Sequence, residues 1–165
     1  MRIPSSTGED FEKHWGFADY RGKLILDIGG ANGDTADFFL MKGARAVIAV
    51  DSNSVLIEQC RMYSKNLNLP LVCIHMSVDS SEKWIQLLLM FKPDLIKIDC
   101  EGCEIYLKDV PSEIISLVPE FLIETHSDEI QNILENKFRS EGYENIVCFE
   151  IAPHVRVNHF VKNRC

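Results

Sequence analysis

The chain has 165 residues, of which 46% are hydrophobic and 25% are charged, as in an ordinary globular protein. This length fits a single domain built on a seven-strand sheet, and the composition excludes a disordered chain. The net charge of −8 at pH 7 gives no positive electrostatic field that would attract phosphate backbones, which disfavours nucleic acid as a partner. Every apolar run is far shorter than the roughly 18 residues of a membrane span, so no membrane partner is expected.

Residues 1–22 are predicted to form an N-terminal arm or lid ahead of the first strand. Phe11 and Trp15 stand four residues apart, which places both on one face of a short helix from Gly8 to Trp15. Packing over one end of the sheet and closing over a ligand are both open roles for this helix. The stretch lacks the apolar core of a signal peptide, which predicts a cytoplasmic protein.

A strand, a glycine loop, a helix and a second strand follow between residues 23 and 53. Leu24–Ile28 and Ala46–Val50 are short, mainly apolar runs with β-branched residues, typical of parallel strands buried on both faces. The helix between them is predicted over Asp34–Lys42. Because Asp51 follows the second strand, the unit has the layout of an adenosine-binding site in a doubly wound sheet.

The acids of this unit favour S-adenosylmethionine over a dinucleotide. A pyrophosphate needs bare N–H groups at a helix N-terminus, whereas Asp27 closes the first strand and Asp34 opens the helix. A nicotinamide-dependent oxidoreductase is therefore disfavoured. A cationic ligand fits better. The glycine loop would contact its methionine part, and the Asp51 carboxylate would accept hydrogen bonds from both ribose hydroxyls. The candidate cofactor-binding residues here are Asp27, Gly29, Gly30, Ala31, Asn32, Gly33, Asp51 and Ser52.

The next helix and strand lead to a predicted adenine site. The helix is expected over Asn53–Asn66, and the strand over Leu71–Met76. The apolar face of the helix is predicted to carry Val55, Leu56, Cys60 and either Met62 or Tyr63. The carboxyl end of this strand is where a doubly wound fold places the adenine. The residues at this end are Ser77, Val78 and Asp79. For Asp79, a solvated loop acid without a ligand is an equal alternative.

The fourth predicted strand ends in an unusual density of charge. It covers Asp94–Asp99, follows a helix over Glu82–Phe91, and runs on into Cys-Glu-Gly-Cys-Glu at residues 100–104. Carboxylates at the carboxyl end of a strand lie where a substrate site is expected, so Asp99 and Glu101 are candidate catalytic residues. Acids that favour a helix dipole are the alternative, and they account less easily for Asp99 than for the acid at position 104.

The six cysteines are scattered along the chain, and we expect reduced thiols rather than a disulfide framework. Cys100 and Cys103 form a C-x-x-C pair. One such pair is weak support for a zinc site or for a thioredoxin-like redox role. No metal ligand is therefore assigned.

The fifth predicted strand, Phe121–His126, again ends in polar groups. Glu124 and His126 are two residues apart and so point to the same face of the strand. With an unperturbed pKa of about 6.5, His126 is the candidate general base, and a structural histidine is the competing interpretation. A helix is predicted over Asp128–Glu141. In the residues that follow it, apolar and polar side chains alternate with a period of two, which predicts an antiparallel hairpin at the sheet edge.

Three segments resemble the FkbM-type family of S-adenosylmethionine-dependent methyltransferases. Residues 27–35, Asp-Ile-Gly-Gly-Ala-Asn-Gly-Asp-Thr, are similar to the family's D-[IV]-G-A-N-x-G-[DE]. Residues 97–104, Lys-Ile-Asp-Cys-Glu-Gly-Cys-Glu, are similar to K-[IL]-D-[VI]-E-G-A-E, and residues 123–126 are similar to its E-x-H strand. The resemblance extends over about residues 23 to 126, and the second segment is its most specific part.

The resemblance implies a three-layer, doubly wound, Rossmann-like class I methyltransferase fold, with a mostly parallel seven-strand sheet and an antiparallel C-terminal edge hairpin. It also implies methyl transfer from S-adenosyl-L-methionine, in the best-known members to a hydroxyl of a sugar or related small molecule. Asp99, Glu101 and His126 would orient or deprotonate the acceptor. The alternative is a regulatory or degenerate scaffold that binds S-adenosylmethionine without turnover. The oligomeric state is left open.

Overall fold

The computed structural model describes residues 2–6 and 8–163. Its seven strands form a mixed sheet that is mostly parallel, ends in antiparallel C-terminal strands and carries helices on both sides, as the sequence predicts. The chain divides into two compact units, Met1–Ser77 and Val78–Cys165.

The first unit contributes three parallel strands, in the order β3-β2-β1. They are β1 (Leu24–Ile28), β2 (Ala46–Asp51) and β3 (Leu71–His75). β1 and β2 are buried along almost their whole length, because parallel strands in such a fold are covered on both faces. Since all three strands run in one direction, the loop after β1 and the acid that ends β2 lie at the same edge.

Three helices complete the first unit, namely α1 (Phe11–Trp15), α2 (Asp34–Met41) and α3 (Ser54–Asn66). The Asn53 side chain caps α3 by accepting from two backbone N–H groups, as an N-cap residue does. Trp15 is fully buried, which favours the packing role for the arm. The predicted apolar face of α3 is wrong at Val55 and Met62, which are 65% and 48% exposed, because Ile57 and Cys60 form its buried side.

The second unit contributes four strands, in the order β4-β5-β7-β6. They are β4 (Leu95–Ile98), β5 (Glu120–Thr125), β6 (Tyr143–Ala152) and β7 (Val155–Lys162). β4 and β5 are parallel, whereas β7 is antiparallel to both β5 and β6. The predicted C-terminal hairpin is therefore confirmed.

The helices of the second unit are α4 (Ser81–Phe91), a 3-10 helix (Cys103–Asp109), α5 (Ser112–Ile115) and α6 (Asp128–Ser140). The sequence reasoning did not predict the 3-10 helix or α5. α6 packs on an aromatic cluster in which the rings of Phe138 and Phe160 stack with centroids 4.5 Å apart. Phe121 and Tyr143 add edge contacts to the Phe138 ring.

Two cysteine pairs are joined as disulfides, so the expectation of reduced thiols is wrong for these four residues. Cys60 on α3 is bonded to Cys73 on β3, with their Cα atoms 6.1 Å apart, and Cys100 is bonded to Cys103. The first pair arises because α3 packs against β3, a tertiary contact that the spacing of cysteines does not reveal. Cys148 is an exposed free thiol, and Cys165 lies outside the described residues.

No helix in the described part of the chain is long and apolar enough to cross a membrane. The single-domain organisation and the cytoplasmic location both stay predictions. Disulfides are more typical of oxidising compartments than of the cytosol, so the two pairs argue against that location.

Candidate functional site

The loop between β1 and α2 turns tightly against β2. Gly29 (φ +76°) and Gly33 (φ +89°) adopt the left-handed conformation that glycine enters without steric cost. The N–H groups of Gly29 and Gly30 both donate to the carbonyl of Val50, at 2.9 and 3.1 Å. A Cβ at Gly30 would lie 2.8 Å from the Cβ of Ala49, so glycine is needed for the loop to approach β2 this closely.

Asp51 is fixed by two backbone N–H groups at the end of β2. Its Oδ2 accepts from the N–H of Ala31 at 3.0 Å, and its Oδ1 accepts from the N–H of Asn53 at 2.8 Å. Each carboxylate oxygen can accept more than one hydrogen bond, so both remain able to accept from a diol. Asp51 lies at the edge that also carries the glycine loop, and its role in binding the ribose stays a prediction.

Three other predicted or neighbouring polar residues of the first unit are buried. Asp27 lies on β1 with no exposed surface. Asn32 donates from Nδ2 to the carbonyl of Pro4 at 3.0 Å and accepts from the N–H of Asp34 at 3.2 Å. Asp34 in turn accepts from the N–H and hydroxyl of Ser6 at 2.6 and 2.9 Å. These bonds anchor the N-terminal segment on the glycine loop, a role that the sequence reasoning did not find.

The remaining predicted cofactor residues follow the ends of β2 and β3 in the chain. Ser52 and Ser77 are exposed, Val78 is buried, and Asp79 is exposed. The carboxylate of Asp79 forms an ion pair with Lys83 at 2.7 Å on the first turn of α4. This pairing fits the solvated-acid alternative, and the adenine role of residues 77–79 stays a prediction.

The second unit gathers three carboxylates around one imidazole, and we call these four side chains the His126 cluster. His126 Nδ1 lies 3.1 Å from Glu104 Oε1, and His126 Nε2 lies 3.3 Å from Glu124 Oε1 and 3.8 Å from Asp99 Oδ1. The pairing of β4 with β5 aligns Ile98 with Ile123, so the residues that follow, Asp99 and Glu124, come side by side. The contact between Glu124 and His126 confirms that they share a face.

The members of the His126 cluster differ in exposure. The side chain of Glu104 is fully buried, and its Oε2 accepts from the N–H of Gly102 at 2.8 Å. Glu124 is largely buried, and Asp99 and His126 are each about one-fifth exposed. Lys97 on β4 is buried, with its Nζ 3.6 Å from Asp99 Oδ2. The cluster is therefore open to a ligand mainly at Asp99 and His126.

The carboxylates raise the pKa of His126 to about 10, chiefly because the imidazole is hydrogen-bonded to Glu104 and then to Glu124, while burial acts in the opposite direction. The imidazole is consequently protonated at neutral pH. Because a protonated imidazole cannot accept a proton, the arrangement favours the structural interpretation of His126, and its role as general base stays a prediction.

The two glutamates that follow Asp99, Glu101 and Glu104, differ in their contacts. Glu101 is exposed, adopts φ +52°, and makes no ion pair with the His126 cluster in the part of the chain that the structure describes. Glu104, by contrast, was not a predicted site residue, because its position near a helix start suggested a dipole role. Its place in the Glu-Gly-x-Glu segment was the signal that could have identified it.

No protein-family model matches this sequence, and a search of curated proteins finds no sequence match either. Solved structures do resemble the fold. A ribosomal protein L11 methylase from Lactobacillus delbrueckii subsp. bulgaricus is 14% identical, with a TM-score of 0.65 over 89% of this chain and 73% of its own. A provisionally assigned RNA methyltransferase from Pyrococcus horikoshii is 14% identical, with a TM-score of 0.63 over 87% of this chain and 76% of its own.

A third resemblance is to the magnesium protoporphyrin IX methyltransferase of Synechocystis PCC 6803, whose structure holds bound SAM. It is 12% identical, with a TM-score of 0.59 over 88% of this chain and 72% of its own. At these identities the likeness concerns the fold, and the chain has the Rossmann-like fold of these methyltransferases.

Proposed function

We propose that this chain is a methyltransferase that uses S-adenosyl-L-methionine. The observation that carries the proposal is the glycine loop lying on β2 beside Asp51, whose carboxylate is held by the N–H groups of Ala31 and Asn53. The acids Asp27 and Asp34 suit a cationic ligand better than a pyrophosphate. The methyltransferases of similar fold, one of which holds SAM, support the same cofactor.

In this proposal each predicted cofactor residue has a distinct part. Asp27 and the loop from Gly29 to Gly33 hold the methionine part, Asp51 accepts from the ribose hydroxyls with Ser52 beside it, and Ser77 to Asp79 meet the adenine. The cofactor supplies a methyl group on sulfonium. The protein residues align the acceptor with that methyl group and exclude water, because an in-line displacement depends mainly on approach geometry.

The acceptor is proposed to be a hydroxyl of a sugar or another small molecule, as in FkbM-type enzymes. The two segments that resemble that family, at residues 97–104 and 123–126, supply all four members of the His126 cluster. Asp99 is the proposed proton acceptor, Glu101 an orienting group, and protonated His126 holds the carboxylates in place. The methyltransferases of similar fold act on a ribosomal protein, RNA or a porphyrin, so the fold alone does not select an acceptor.

Replacing Asp51 tests the cofactor assignment. Asp51→Ala should weaken S-adenosylmethionine binding by about 10- to 100-fold, because hydrogen bonds to a charged acceptor contribute roughly 1.5–3 kcal/mol. Calorimetric titration with S-adenosylmethionine and S-adenosylhomocysteine measures this loss, and NAD serves as the ligand control.

Glu58→Ala removes one exposed carboxylate from α3 and should leave the affinity unchanged. Asp51→Asn, which retains one oxygen acceptor, should fall between the wild type and Asp51→Ala, with circular dichroism checking that each variant is folded. Equal affinity of the wild type and Asp51→Ala would count against the proposal.

A second candidate is a protein that binds S-adenosylmethionine without turnover. The observation that favours it is the raised pKa of His126, since a site whose histidine is already protonated lacks the base that the sequence predicts. Methyl transfer measured over a broad panel of hydroxyl acceptors separates the candidates. Turnover that Asp99→Asn abolishes supports the enzyme, whereas tight cofactor binding with no transfer to any acceptor supports the scaffold.

A further inference from the structure

We propose that the His126 cluster binds one divalent transition-metal cation, with Asp99 Oδ1, Glu124 Oε1 and His126 Nε2 as its protein ligands. One ligand atom from each of the three residues lies within 4.8 Å of the other two. They come from adjacent parallel strands and the residue that follows one of them, so the sheet itself fixes their spacing. The sequence predicts no metal here, because the one motif that it offers for a metal is the C-x-x-C pair at Cys100 and Cys103.

The distances fit a common cation. Ligand atoms about 2.0–2.2 Å from one ion are separated from each other by roughly 3.0–3.5 Å. His126 Nε2 is 3.3 Å from Glu124 Oε1 and 3.8 Å from Asp99 Oδ1. The first distance already lies in this range, and the second exceeds it by a few tenths of an ångström at Asp99, whose side chain is partly exposed.

Two neighbouring groups hold these ligands in the required orientation. Glu104 Oε1 accepts from His126 Nδ1, which directs Nε2 toward the other two carboxylates. Metal-bound histidines usually donate their second ring N–H to such a partner. Lys97 lies against Asp99 Oδ2, the oxygen that is not used, and leaves Oδ1 for the cation.

Charge also favours a divalent cation. With a neutral imidazole, the three carboxylates of the cluster and the ammonium of Lys97 sum to a formal charge of −2. A divalent cation balances this charge completely. Imidazole and carboxylate together suit Mn²⁺, Fe²⁺ and Zn²⁺ better than they suit Mg²⁺, which prefers oxygen ligands alone.

The use of the cation rests on the proposed function. A divalent cation beside Asp99 would supply Lewis acidity to an acceptor hydroxyl, and it would take the place of the proton that His126 carries in the metal-free protein. The binding of the cation does not rest on that function, because all of its ligands belong to one unit of the chain.

Titration of the chelator-treated, full-length protein with Mn²⁺ tests the proposal. Bound Mn²⁺ loses the sharp electron paramagnetic resonance signal of the free aqueous ion, and we expect saturation at one equivalent. Asp99→Asn and Glu124→Gln should each weaken Mn²⁺ binding by tenfold or more. Glu113→Gln, which removes an exposed carboxylate from α5, should leave it unchanged.

Glu104→Gln separates a positioned site from a patch of acids. Its side chain does not bind the cation, yet its loss should weaken Mn²⁺ binding by 10- to 100-fold, as loss of a ligand's hydrogen-bond partner does. Circular dichroism and thermal melting without metal check that each variant folds.

The proposal is overturned if neither Mn²⁺ nor Zn²⁺ binds at millimolar concentration, or if Asp99→Asn and Glu124→Gln bind as the wild type does. Titration with S-adenosylhomocysteine, with and without chelator, is a separate readout. If S-adenosylhomocysteine does not bind but Mn²⁺ does, the proposed function is rejected and the metal site is retained. If Mn²⁺ does not bind but S-adenosylhomocysteine does, the metal site is rejected and the proposed function is retained.

Discussion

Gly30 shows how a single methyl group can disturb the cofactor loop. An added Cβ would lie 2.8 Å from the Cβ of Ala49 and 3.2 Å from the carbonyl oxygen of Asp27. We expect Gly30→Ala to lower the free energy of unfolding by about 1–3 kcal/mol, as overpacking of a buried site does. Urea denaturation measures the change.

The double variant Gly30→Ala, Ala49→Gly removes the nearest clash and should recover part of the loss, since contacting residues couple. If Gly30→Ala alone is as stable as the wild type, the close approach of the glycine loop to β2 is contradicted.

Tyr143 carries a buried hydroxyl whose oxygen lies 2.8 Å from the carbonyl of Ile115 and 2.6 Å from that of Val118. Burial raises its pKa above the usual value, with a further contribution from Glu141. Because the folded state favours the protonated phenol, this contribution to stability is complete below about pH 10 and is lost as the pH rises further.

We expect Tyr143→Phe to lower the free energy of unfolding by about 1–3 kcal/mol at pH 7, since it leaves buried carbonyl groups without their donor. The difference from the wild type should shrink above about pH 10. Denaturation at pH 7 and at higher pH checks both statements, and a difference that grows with pH would contradict them.

The candidate residues were predictable from sequence only as far as their positions on strands. Asp51, Asp99 and His126 each follow or end an apolar run, so the sequence predicts them at the carboxyl edge of the sheet. The charge of His126 was not predictable, because it depends on Glu104 approaching from a 3-10 helix that has no periodic pattern. The location of His126 follows from the strand pattern, whereas its role as general base stays a prediction.

The disulfide between α3 and β3 makes a prediction at the level of elements. Cys60 and Cys73 are 13 residues apart, and closing a loop of about this size stabilises a chain by roughly 3 kcal/mol in the chain-entropy account. The double variant Cys60→Ala, Cys73→Ala should lower the free energy of unfolding by about 2–4 kcal/mol, measured by denaturation under oxidising conditions.

Cys148→Ala, which removes an exposed free thiol, is the matched control and should have little effect. Adding a thiol reductant should destabilise the wild type more than the double variant, which keeps only the short Cys100–Cys103 pair. A wild type that reductant does not affect would contradict the pairing.

Element boundaries were predictable where local chemistry marks them. The strand over Leu24–Ile28 is confirmed with both ends as predicted, and α6 ends one residue before the predicted Glu141. The 3-10 helix and α5 were missed because seven and four residues are too few to show a helical period. The buried side of α3 was misjudged because an apolar residue on a helix surface carries no mark of its exposure.

Ligand binding should be visible in the stability of the whole molecule. S-adenosylhomocysteine at 100 times its Kd should add about 2.7 kcal/mol to the free energy of unfolding. For a chain of this size the Tm should rise by roughly 5–11 °C. A thermal shift assay measures the rise, with NAD at equal concentration as control. An equal shift with NAD, or no shift with S-adenosylhomocysteine at any concentration, would reject the cofactor assignment.

The outermost strand of the second unit has a consequence for how copies of the chain meet. β6 is ten residues long, and its pairing with β7 shifts register between Asn145 and Val147 and again between Glu150 and Ala152. Each irregularity bends the strand and interrupts the even row of N–H and C=O groups that an incoming strand would need. The β6 edge is long and half-exposed, and a regular edge of this kind would be a template for fibril growth. Its irregular pairing makes β6 a poor template.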